Sequence, residues 1–545
     1  MGNIIKILLF LNTIRYLRIK QIFFRAFRGL RKIPIIKDPK SIRVPQHEWV
    51  KFSLYDEKID LNFNAKFLNF SKKLDLPEDW NNKSLQKLWL YNLHYFDCML
   101  EHNNSEKNLF YEELIISWMQ NNPLGKGVGW DSYPISLRIV NMLKYWLNGN
   151  QLKENIHINI YSQALYLKNN LEHDILANHI FENYKALIFS GIVYDDRKML
   201  LIGIHGLIHE INEQILEDGM HFELSPMYHA IITVGILDLI NILDSYKLPE
   251  LEELKHLINS KIPLMLGSLV DMSFNNESLS FFNDSADGIA PKIDIILDYA
   301  AKLGLRPSLP KGKQKYYLSN RGGYQIIQNN SSKLIFDATN LLASYQPGHS
   351  HADALSFEFA FNQEKVFVNS GISGYQIGNL RHMQRSTRSH NTIEINNSDS
   401  SEVWSNHRVG KRAVVVSSDP IILDNSKVIC KARHNGYSKS LKTLLHERQI
   451  ELENNNLHII DSISGTYNSA ISRIYIHPDI SALPENGKVI LLGKSFKGII
   501  TTNNMPIKIT ESKYYPEFGL QKNNNCIEIE LTSRKLITSV QFKLI

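Results

Sequence analysis

Cysteine is scarce in this sequence, and its three residues lie far apart. Cys98, Cys430 and Cys526 form no C-x-x-C pair, which excludes a thiolate zinc site, an iron–sulfur cluster and a disulfide scaffold. Glycine (28 residues) and proline (18 residues) are too few in 545 residues for a fibrous or low-complexity chain. Hydrophobic residues at 43% and charged residues at 21% are typical of globular proteins. A chain of this length predicts two or three domains.

Acidic residues are absent from residues 1–33. The basic residues of this segment are Lys6, Arg15, Arg18, Lys20, Arg25, Arg28, Arg31 and Lys32. The whole chain has 61 basic and 55 acidic residues, so its net charge of +6 comes from this one end. A charge excess confined to one end gives no basic face, and we therefore expect no nucleic-acid partner.

A run of about 20 apolar residues is also lacking, so we expect no membrane-spanning helix. The short apolar run at 4–11 is interrupted by Lys6 and followed by basic residues rather than a cleavage site, and we expect no signal peptide. These features favour a cytoplasmic location, or one peripheral to the inner membrane, over secretion, with the cell envelope left open. The spacing at 4–30 predicts an amphipathic helix that contacts an anionic membrane or packs on the protein, and packing is favoured.

The apolar pattern changes once along the chain. From about residue 85 to residue 303, apolar residues recur three and four apart, as in helices. After residue 312, short alternating β-rich segments predominate. We predict an α+β multidomain protein with a basic helical segment at 1–40, a helical domain at 41–312 and an antiparallel β-sandwich at 313–545.

A polar helix face begins at Asn178. At 3.6 residues per turn, one arc carries the polar side chains Asn178, His179, Glu182, Asn183 and Lys185. His179 and Glu182 are three residues apart, so we expect a hydrogen bond that fixes the imidazole tautomer. The plain interpretation is a surface helix, but two amides, a histidine and a carboxylate together favour the lining of a cavity.

Tyr228 is predicted to lie in the first turn of a helix. Ser225 and Pro226 are typical of an N-cap and a first helical position. The positive end of the helix dipole there is expected to ease ionisation of the Tyr228 phenol. The alternative, a core aromatic residue with a hydrogen-bonded hydroxyl, is at least as well supported by this segment alone.

The β-rich half contains a histidine cluster. On a strand, His349, His351 and Asp353 would point to one face. Together with His390 they form a candidate zinc site that an oxygen ligand would complete. Arg385 and Arg388 lie close in sequence and suit an acidic substrate. The alternative is a histidine-rich strand end held by hydrogen bonds.

These segments together resemble the heparinase II/III-like polysaccharide lyases. The similar motifs are WLYNLHYFD at 89–97, GWDSYPISLR at 129–138, NH at 178–179, FELSPMYH at 222–229, GHSHAD at 348–353, RSTRSHNT at 385–392 and SEVW at 401–404. The resemblance implies an incomplete α/α-toroid followed by an antiparallel β-sandwich. The likeness is greatest to members without a signal peptide that accompany surface-polysaccharide synthesis genes.

The resemblance also implies roles for single residues. Asn178 corresponds to the amide that neutralises a uronate carboxylate, and His179 and Tyr228 correspond to a base and acid pair. His349 corresponds to a histidine that reaches the cleft from the β-domain. The substrate-binding residues that we expect are Glu182, Trp130, Tyr375, Arg385 and Arg388, of which Tyr375 is the nearest counterpart of a second cleft tyrosine.

A metal site is implied in the β-domain. His351 and His390 correspond to metal ligands, and Asn369 stands where such proteins commonly have an aspartate ligand. A neutral amide binds zinc less strongly than a carboxylate, so we expect partial zinc occupancy at most. We expect no organic cofactor, and the sequence specifies no oligomeric state.

The chemistry of β-elimination suits these residues. The proton to be removed lies next to a carboxylate and becomes acidic only when hydrogen bonds, here from Asn178 and His349, neutralise that carboxylate. A base then takes the proton and an acid protonates the leaving glycosidic oxygen. The predicted substrate is therefore an acidic, uronate-containing polysaccharide.

Two other functions stay open on the sequence. A glycoside hydrolase would use Glu182 and Glu223 as its carboxylate pair, about 5 to 9.5 Å apart. A non-catalytic glycan-binding or assembly protein would keep the fold with a decayed site, and Asn369 is the residue that favours this alternative. The intact set of Asn178, His179, Tyr228 and His349 favours an enzyme.

Overall fold

The computed structural model describes residues 2–27, 32–101, 107–275, 278–312, 315–424, 426–438 and 443–545. Arg28 and Arg31 of the basic segment lie outside the described residues. The α-helices are α1 (Gly2–Ile14), α2 (Ile19–Ala26), α3 (Lys87–Tyr95), α4 (Asn108–Asn121), α5 (Ser132–Leu147), α6 (Glu154–Asn169), α7 (Ala177–Val193), α8 (Arg197–Gln214), α9 (Pro226–Ser245), α10 (Glu252–Asp271), α11 (Ile293–Lys302) and α12 (Asn379–Arg385).

The β-strands lie mostly after residue 316. They are β1 (Asn64–Phe67), β2 (Phe70–Lys73), β3 (Ser273–Phe274), β4 (Ser278–Leu279), β5 (Tyr317–Arg321), β6 (Tyr324–Gln328), β7 (Ser332–Asp337), β8 (Phe357–Phe361), β9 (Glu364–Phe367), β10 (Ile393–Ile395), β11 (Val403–Trp404), β12 (Arg408–Val409), β13 (Val415–Ser418), β14 (Ile422–Asp424), β15 (Lys427–His434), β16 (Leu445–Glu453), β17 (Asn456–Ser464), β18 (Ala470–Ile476), β19 (Ser481–Glu485), β20 (Lys488–Leu492), β21 (Phe496–Thr502), β22 (Ile507–Tyr514), β23 (Lys522–Glu530) and β24 (Lys535–Leu544).

The helical domain is built around α7. This helix packs against α5, α6, α8 and α9, and nearly all of its side chains are buried. A helix surrounded by other helices buries its polar face as well as its apolar face. The surface-helix interpretation of the Asn178 segment is therefore wrong, and the polar arc lies inside the domain.

The β-domain consists of two antiparallel sheets. One has the strand order β22-β23-β18-β9-β8-β7-β6-β5, with β10 also on β18; the other has the order β13-β15-β16-β17-β24-β21-β20-β19, with β14 on β15. In the second sheet, Cys430, Ile450 and Ile459 lie opposite one another on adjacent strands and belong to the core between the sheets. Strict alternation of buried and partly exposed residues along β16 produces this one-sided packing.

The two domains share a buried interface. Met220, Leu224 and Met272 from the helical domain pack against Tyr324 and Ile335 from the first sheet. Beside them, Arg321 at the end of β5 donates to Asp271 at the end of α10 at 2.7 Å, and both side chains are buried. This interface fixes the helical domain against the first sheet.

One described helix, α9, is long and apolar enough to cross a membrane, contrary to the expectation that no such stretch exists. Most of α9 (89% of its most apolar window) is buried inside the protein. It packs between α7, α10 and α11, so its apolar surface serves the core of the helical domain.

Candidate active site

Asn178 is positioned by an unusual entry into α7. Leu176 and Ala177, directly before it, have positive φ angles of 67° and 52°. Such backbone conformations cost free energy in residues with a side chain and occur often at functional sites. They place Asn178 in the first turn of α7, where its Nδ2 lies 3.2 Å from both carboxylate oxygens of Glu223.

Glu223 lies in the turn that leads into α9. Leu224 follows it with a φ of 56°, and Ser225 caps α9 by accepting from the Tyr228 amide at 3.2 Å. The predicted N-cap at Ser225 and Pro226 is thereby confirmed. Burial raises the pKa of Glu223, although the charge of His349 and the hydrogen bond from Asn178 act in the opposite direction.

Tyr228 and His349 meet face to face between the two domains. Their ring centroids are 3.8 Å apart with 30° between the planes. The Tyr228 hydroxyl lies 2.9 Å from the Tyr375 hydroxyl, with either atom able to donate. Tyr228 and Tyr375 are half-buried, so solvent reaches the pair at the domain boundary, and we refer to this partly open region as the cleft. The structure therefore brings together Tyr228, His349 and Tyr375, which are far apart in sequence.

The expectation that the helix dipole eases ionisation of Tyr228 is wrong. Burial raises the pKa of Tyr228 well above its usual value, and Tyr375, Asp284 and Glu223 raise it further. The free-energy cost of removing a phenolate from water exceeds the stabilisation that one helix N-terminus gives it. Tyr228 is therefore a protonated phenol at neutral pH.

His349 is oriented by Asp284. The Nδ1 atom of His349 lies 2.9 Å from Asp284 Oδ2, while its Nε2 lies 3.8 Å from Glu223 Oε2. Asp284 also accepts hydrogen bonds from both terminal nitrogens of Arg381. Burial alone would raise the pKa of Asp284, but Arg381 and the histidines hold it well below its usual range. Asp284 is therefore a fixed negative charge behind the His349 ring.

The partner of His179 is Glu172, and the expected bond from His179 to Glu182 is absent from the described contacts. His179 Nδ1 lies 3.1 Å from Glu172 Oε1, and its ring packs on Tyr133 at 4.5 Å. Burial lowers the pKa of His179, but the Glu172 carboxylate outweighs it, and the pKa is raised overall. An Nδ1–H donated to Glu172 leaves Nε2 as the atom that can accept a proton.

Two predicted substrate-binding residues are instead core residues. Glu182 is 1% exposed and pairs with Lys185 at 2.7 Å, one turn further along α7. Trp130 is 3% exposed and donates to the Asn122 carbonyl at 3.0 Å. Both side chains bond partners inside the helical domain rather than Tyr228, His349 or Glu223, which contradicts both assignments.

The predicted arginines also lie elsewhere. Arg385 is buried and donates to the Ser350 carbonyl at 2.8 Å, so it braces the loop before β8. Arg388 is exposed, and its carbonyl accepts from the Tyr475 hydroxyl. Arg381 is the arginine at the site. Its spacing of four and seven from Arg385 and Arg388 is a helical signal that could have drawn attention to it.

The expected strand at 348–353 is a loop, and its two histidines point to different surroundings. His351 Nε2 lies 2.8 Å from Asp284 Oδ1, and His351 Nδ1 lies 3.1 Å from His390 Nε2. Potential ligand atoms of His351, Asp353 and His390 lie within 4.8 Å of one another. This buried group could hold a metal ion.

The donor set fits such an ion. Burial lowers the pKa of His351 to about 4 and also lowers that of His390, so both imidazoles are neutral, as metal ligation requires. Asp353 supplies the carboxylate. Asn369, the expected third ligand, uses its Oδ1 to accept from the Asn391 amide at 3.1 Å.

Family models match both halves of this chain. The model described as Heparinase II/III N-terminus matches residues 46–300. The model described as Heparinase II/III-like, C-terminal matches residues 317–543. The matches cover the helical domain and the β-domain, with the candidate site between them.

Two curated relatives are named heparin-sulfate lyase. The relative from Bacteroides stercoris is 25% identical over 302 residues, which cover 51% of this chain and 41% of the relative. The relative from Pedobacter heparinus is 28% identical over 217 residues, which cover 36% of this chain and 32% of the relative. The aligned regions thus span less than half of each relative.

Solved structures share the whole architecture. A crystal structure of heparinase III superposes with a TM-score of 0.70 at 15% identity and covers 96% of this chain and 89% of its own. Heparan sulfate lyase from Pedobacter heparinus superposes with a TM-score of 0.59 at 16% identity, covering 96% and 88%. At these identities the likeness concerns the fold, and it confirms the predicted toroid followed by a β-sandwich.

Proposed function

Because the chain belongs to the heparinase II/III-like family, we propose that it is a polysaccharide lyase that cleaves an acidic, uronate-containing polysaccharide by β-elimination. The observation that carries this proposal is the contact of Tyr228 with His349 and Tyr375 across the domain boundary. One domain supplies a protonated phenol and the other an oriented imidazole. The names of the curated relatives support a sulfated, uronate-containing glycosaminoglycan as the substrate class.

Substrate binding uses Asn178 and His349, whose side chains face the Glu223 carboxylate in the free protein. Asn178 directs its amide toward Glu223 and His349 directs Nε2 toward the same side chain. A uronate carboxylate entering here would accept from the Asn178 amide, and from His349 Nε2 when the imidazole carries both protons, since Nδ1–H is donated to Asp284. Glu223, whose pKa burial raises, could donate to it when protonated. These hydrogen bonds stabilise the negative charge that develops as the neighbouring proton leaves.

Proton transfer then divides between His179 and Tyr228. Nε2 of His179 takes the proton from the carbon next to the carboxylate, and the electron pair of that C–H bond forms the new carbon–carbon double bond. The C–O bond to the leaving sugar breaks, and its oxygen takes the proton of the Tyr228 hydroxyl. Each such transfer contributes roughly 10²–10⁴-fold to the rate. The cycle closes when protonated His179 releases its proton to solvent and the Tyr228 phenolate takes one from solvent, for which the Tyr375 hydroxyl is placed as a relay.

The carboxylate pair expected for a glycoside hydrolase does not face one site. Glu182 pairs with Lys185 at 2.7 Å inside the helical domain, whereas Glu223 faces Asn178 and His349. A hydrolase would need both carboxylates in contact with the sugar. The geometry thus supports elimination over hydrolysis.

A zinc ion is the metal we propose for His351, His390 and Asp353. Nitrogen and carboxylate donors in a buried group suit zinc. When bound, the ion would supply a structural cross-link that holds the loop before β8 against the segment after α12. His351 also bonds Asp284, so this region supports His349 through a shared carboxylate.

The experiment that tests the function is incubation with a panel of uronate polysaccharides, including heparan sulfate, chondroitin sulfate and alginate. A lyase generates an unsaturated uronate that absorbs in the ultraviolet, and we expect this absorbance with at least one acidic member. Neutral polysaccharides serve as the control. Binding without any cleavage would instead support the non-catalytic glycan-binding alternative and would contradict the proposal.

A further inference from the structure

Helices α1 and α2 are attached to the protein with their polar sides inward. In α2 the buried side chain is Gln21, which donates to the carbonyls of Ile175 at 3.2 Å and Tyr345 at 3.3 Å. Arg18 donates to Glu213 at 3.0 Å and stacks over the Tyr345 ring. Soluble proteins normally bury the apolar face of a surface helix, so this arrangement is inverted.

α1 is attached in the same way. Asn12 donates to Glu402 at 3.1 Å, and Thr13 accepts from the Trp404 indole at 3.0 Å. Both partners belong to the hairpin region of β11 and β12 in the β-domain. The helix pair therefore bridges the two domains through polar contacts and is part of the folded body.

Most of the large apolar side chains described on the two helices point outward, although Phe24 packs on His173. Ile19, Ile22, Phe23 and Phe27 are 49% to 86% exposed, and their spacing of three, four and eight places them on one face of α2. On α1, Ile7, Leu8, Phe10 and Leu11 are each about half exposed. We refer to these eight residues as the outer face. Exposed apolar side chains concentrated in this way mark an interaction site.

The charge around the outer face selects the partner. Lys6, Arg15, Lys20 and Arg25 are exposed on the same two helices, and no acidic residue occurs before Asp38. The charged side chains of the two helices themselves are all positive, and the acidic partners Glu213 and Glu402 contact their inward polar side. An apolar face on helices of this charge is complementary to an anionic lipid surface, where the rings enter the acyl boundary and the bases contact headgroups. In a dimer formed through this face, the basic side chains of the two copies would instead repel one another.

We propose that the outer face docks the protein on the surface of an anionic lipid bilayer. This inference is independent of the proposed lyase activity. Gln21 donates to the carbonyl of Ile175, three residues before Asn178, and to the carbonyl of Tyr345, four residues before His349. Docking would therefore hold the cleft at a fixed orientation to the membrane and place the protein peripheral to it.

The test is co-sedimentation of the full chain with vesicles of phosphatidylglycerol and phosphatidylcholine in equal parts. We expect binding that is lost with pure phosphatidylcholine. The double variant Ile22→Ser, Phe23→Ser should reduce partitioning at least about tenfold. Its control is Leu109→Ser, Ile377→Ser, which removes two apolar side chains that are more exposed (79% and 76%, against 52% and 57%) and lie elsewhere on the protein. This control should leave partitioning unchanged.

A charge variant separates headgroup attraction from general stickiness. Lys6→Gln, Lys20→Gln should also reduce partitioning at least about tenfold, whereas Lys488→Gln, Lys508→Gln, which removes two exposed bases of the β-domain, should not. Circular dichroism confirms that each variant is folded. Equal binding to both vesicle types, equal losses in test and control variants, or a dimer in sedimentation velocity that Ile22→Ser, Phe23→Ser dissociates would each overturn the proposal.

Discussion

His349 and His351 are two residues apart and bind the same carboxylate, yet they face different surroundings. His349 uses Asp284 Oδ2 and stacks on Tyr228 at the cleft. His351 uses Asp284 Oδ1 and turns to His390 in the interior. The two imidazoles share a carboxylate, so the groups on the side of each ring away from Asp284 decide what each histidine can do. His349 meets Tyr228 at the cleft, whereas His351 meets His390 in the buried group of candidate metal ligands.

Asp284 joins these two regions, so its removal should have the largest effect. Asp284→Asn leaves the buried Arg381 guanidinium without its carboxylate, and breaking such a pair costs about 3–5 kcal/mol of unfolding free energy. We expect this loss in denaturant titration together with loss of elimination per folded molecule.

The matched control is Asp271→Asn, which breaks the buried pair with Arg321. We expect a comparable loss of stability but unchanged elimination per folded molecule. Normal elimination in folded Asp284→Asn would show that Asp284 does not orient His349.

Tyr228→Phe should affect the cleft region alone. The ring stays on His349 while the hydroxyl that bonds Tyr375 is removed, so elimination should fall at least about 10²-fold. Stability should change by only about 1 kcal/mol. Tyr111→Phe is the control, because it removes a buried hydroxyl that donates to the Cys98 carbonyl in the helical domain and should leave turnover unchanged. Unchanged turnover in Tyr228→Phe would show that this tyrosine is structural.

The acid limb of the pH–rate profile should report His179. As a base, His179 must be unprotonated, so the rate rises with pH through its pKa, which the Glu172 carboxylate helps to raise against the effect of burial. Glu172→Gln removes that charge, lowers the pKa and should move the limb to lower pH. Glu217→Gln, at an exposed site on the turn before α9, should leave it in place. A limb that does not move in Glu172→Gln would exclude His179 as the base.

The interior region should respond through metal content. Protein purified without a histidine tag should contain sub-stoichiometric zinc by elemental analysis, and His351→Ala, His390→Ala should lose it. Asn369→Asp should raise the occupancy, with the smallest effect of this series because Asp353 already offers a carboxylate. Equal zinc in the wild type and the histidine double variant would remove the metal assignment.

The sequence predicted the parts of the site that local rules determine. The N-cap at Ser225 and the polar arc after Asn178 follow from residue type and helical spacing. The succession of helices and antiparallel strands follows from apolar periodicity. Tyr375, which the family resemblance suggested, has its hydroxyl 2.9 Å from that of Tyr228, and its role in substrate binding stays a prediction.

The rest depended on tertiary contacts that spacing does not encode. Glu172 replaces Glu182 as the partner of His179 because Glu182 pairs with Lys185 inside the domain. Asp284 belongs to no recognisable motif and acts through residues 65 and 97 positions away. The pKa of Tyr228 was expected to fall but rises, because burial outweighs the helix dipole.

The masses of the products test the central claim most directly. β-Elimination divides a chain without adding water, so the masses of the two fragments must sum to the mass of the substrate, and one fragment carries the unsaturated uronate. We predict this result for the wild type on a defined uronate oligosaccharide and almost no product for Tyr228→Phe. Fragments heavier in sum by one water would show hydrolysis and would contradict the account.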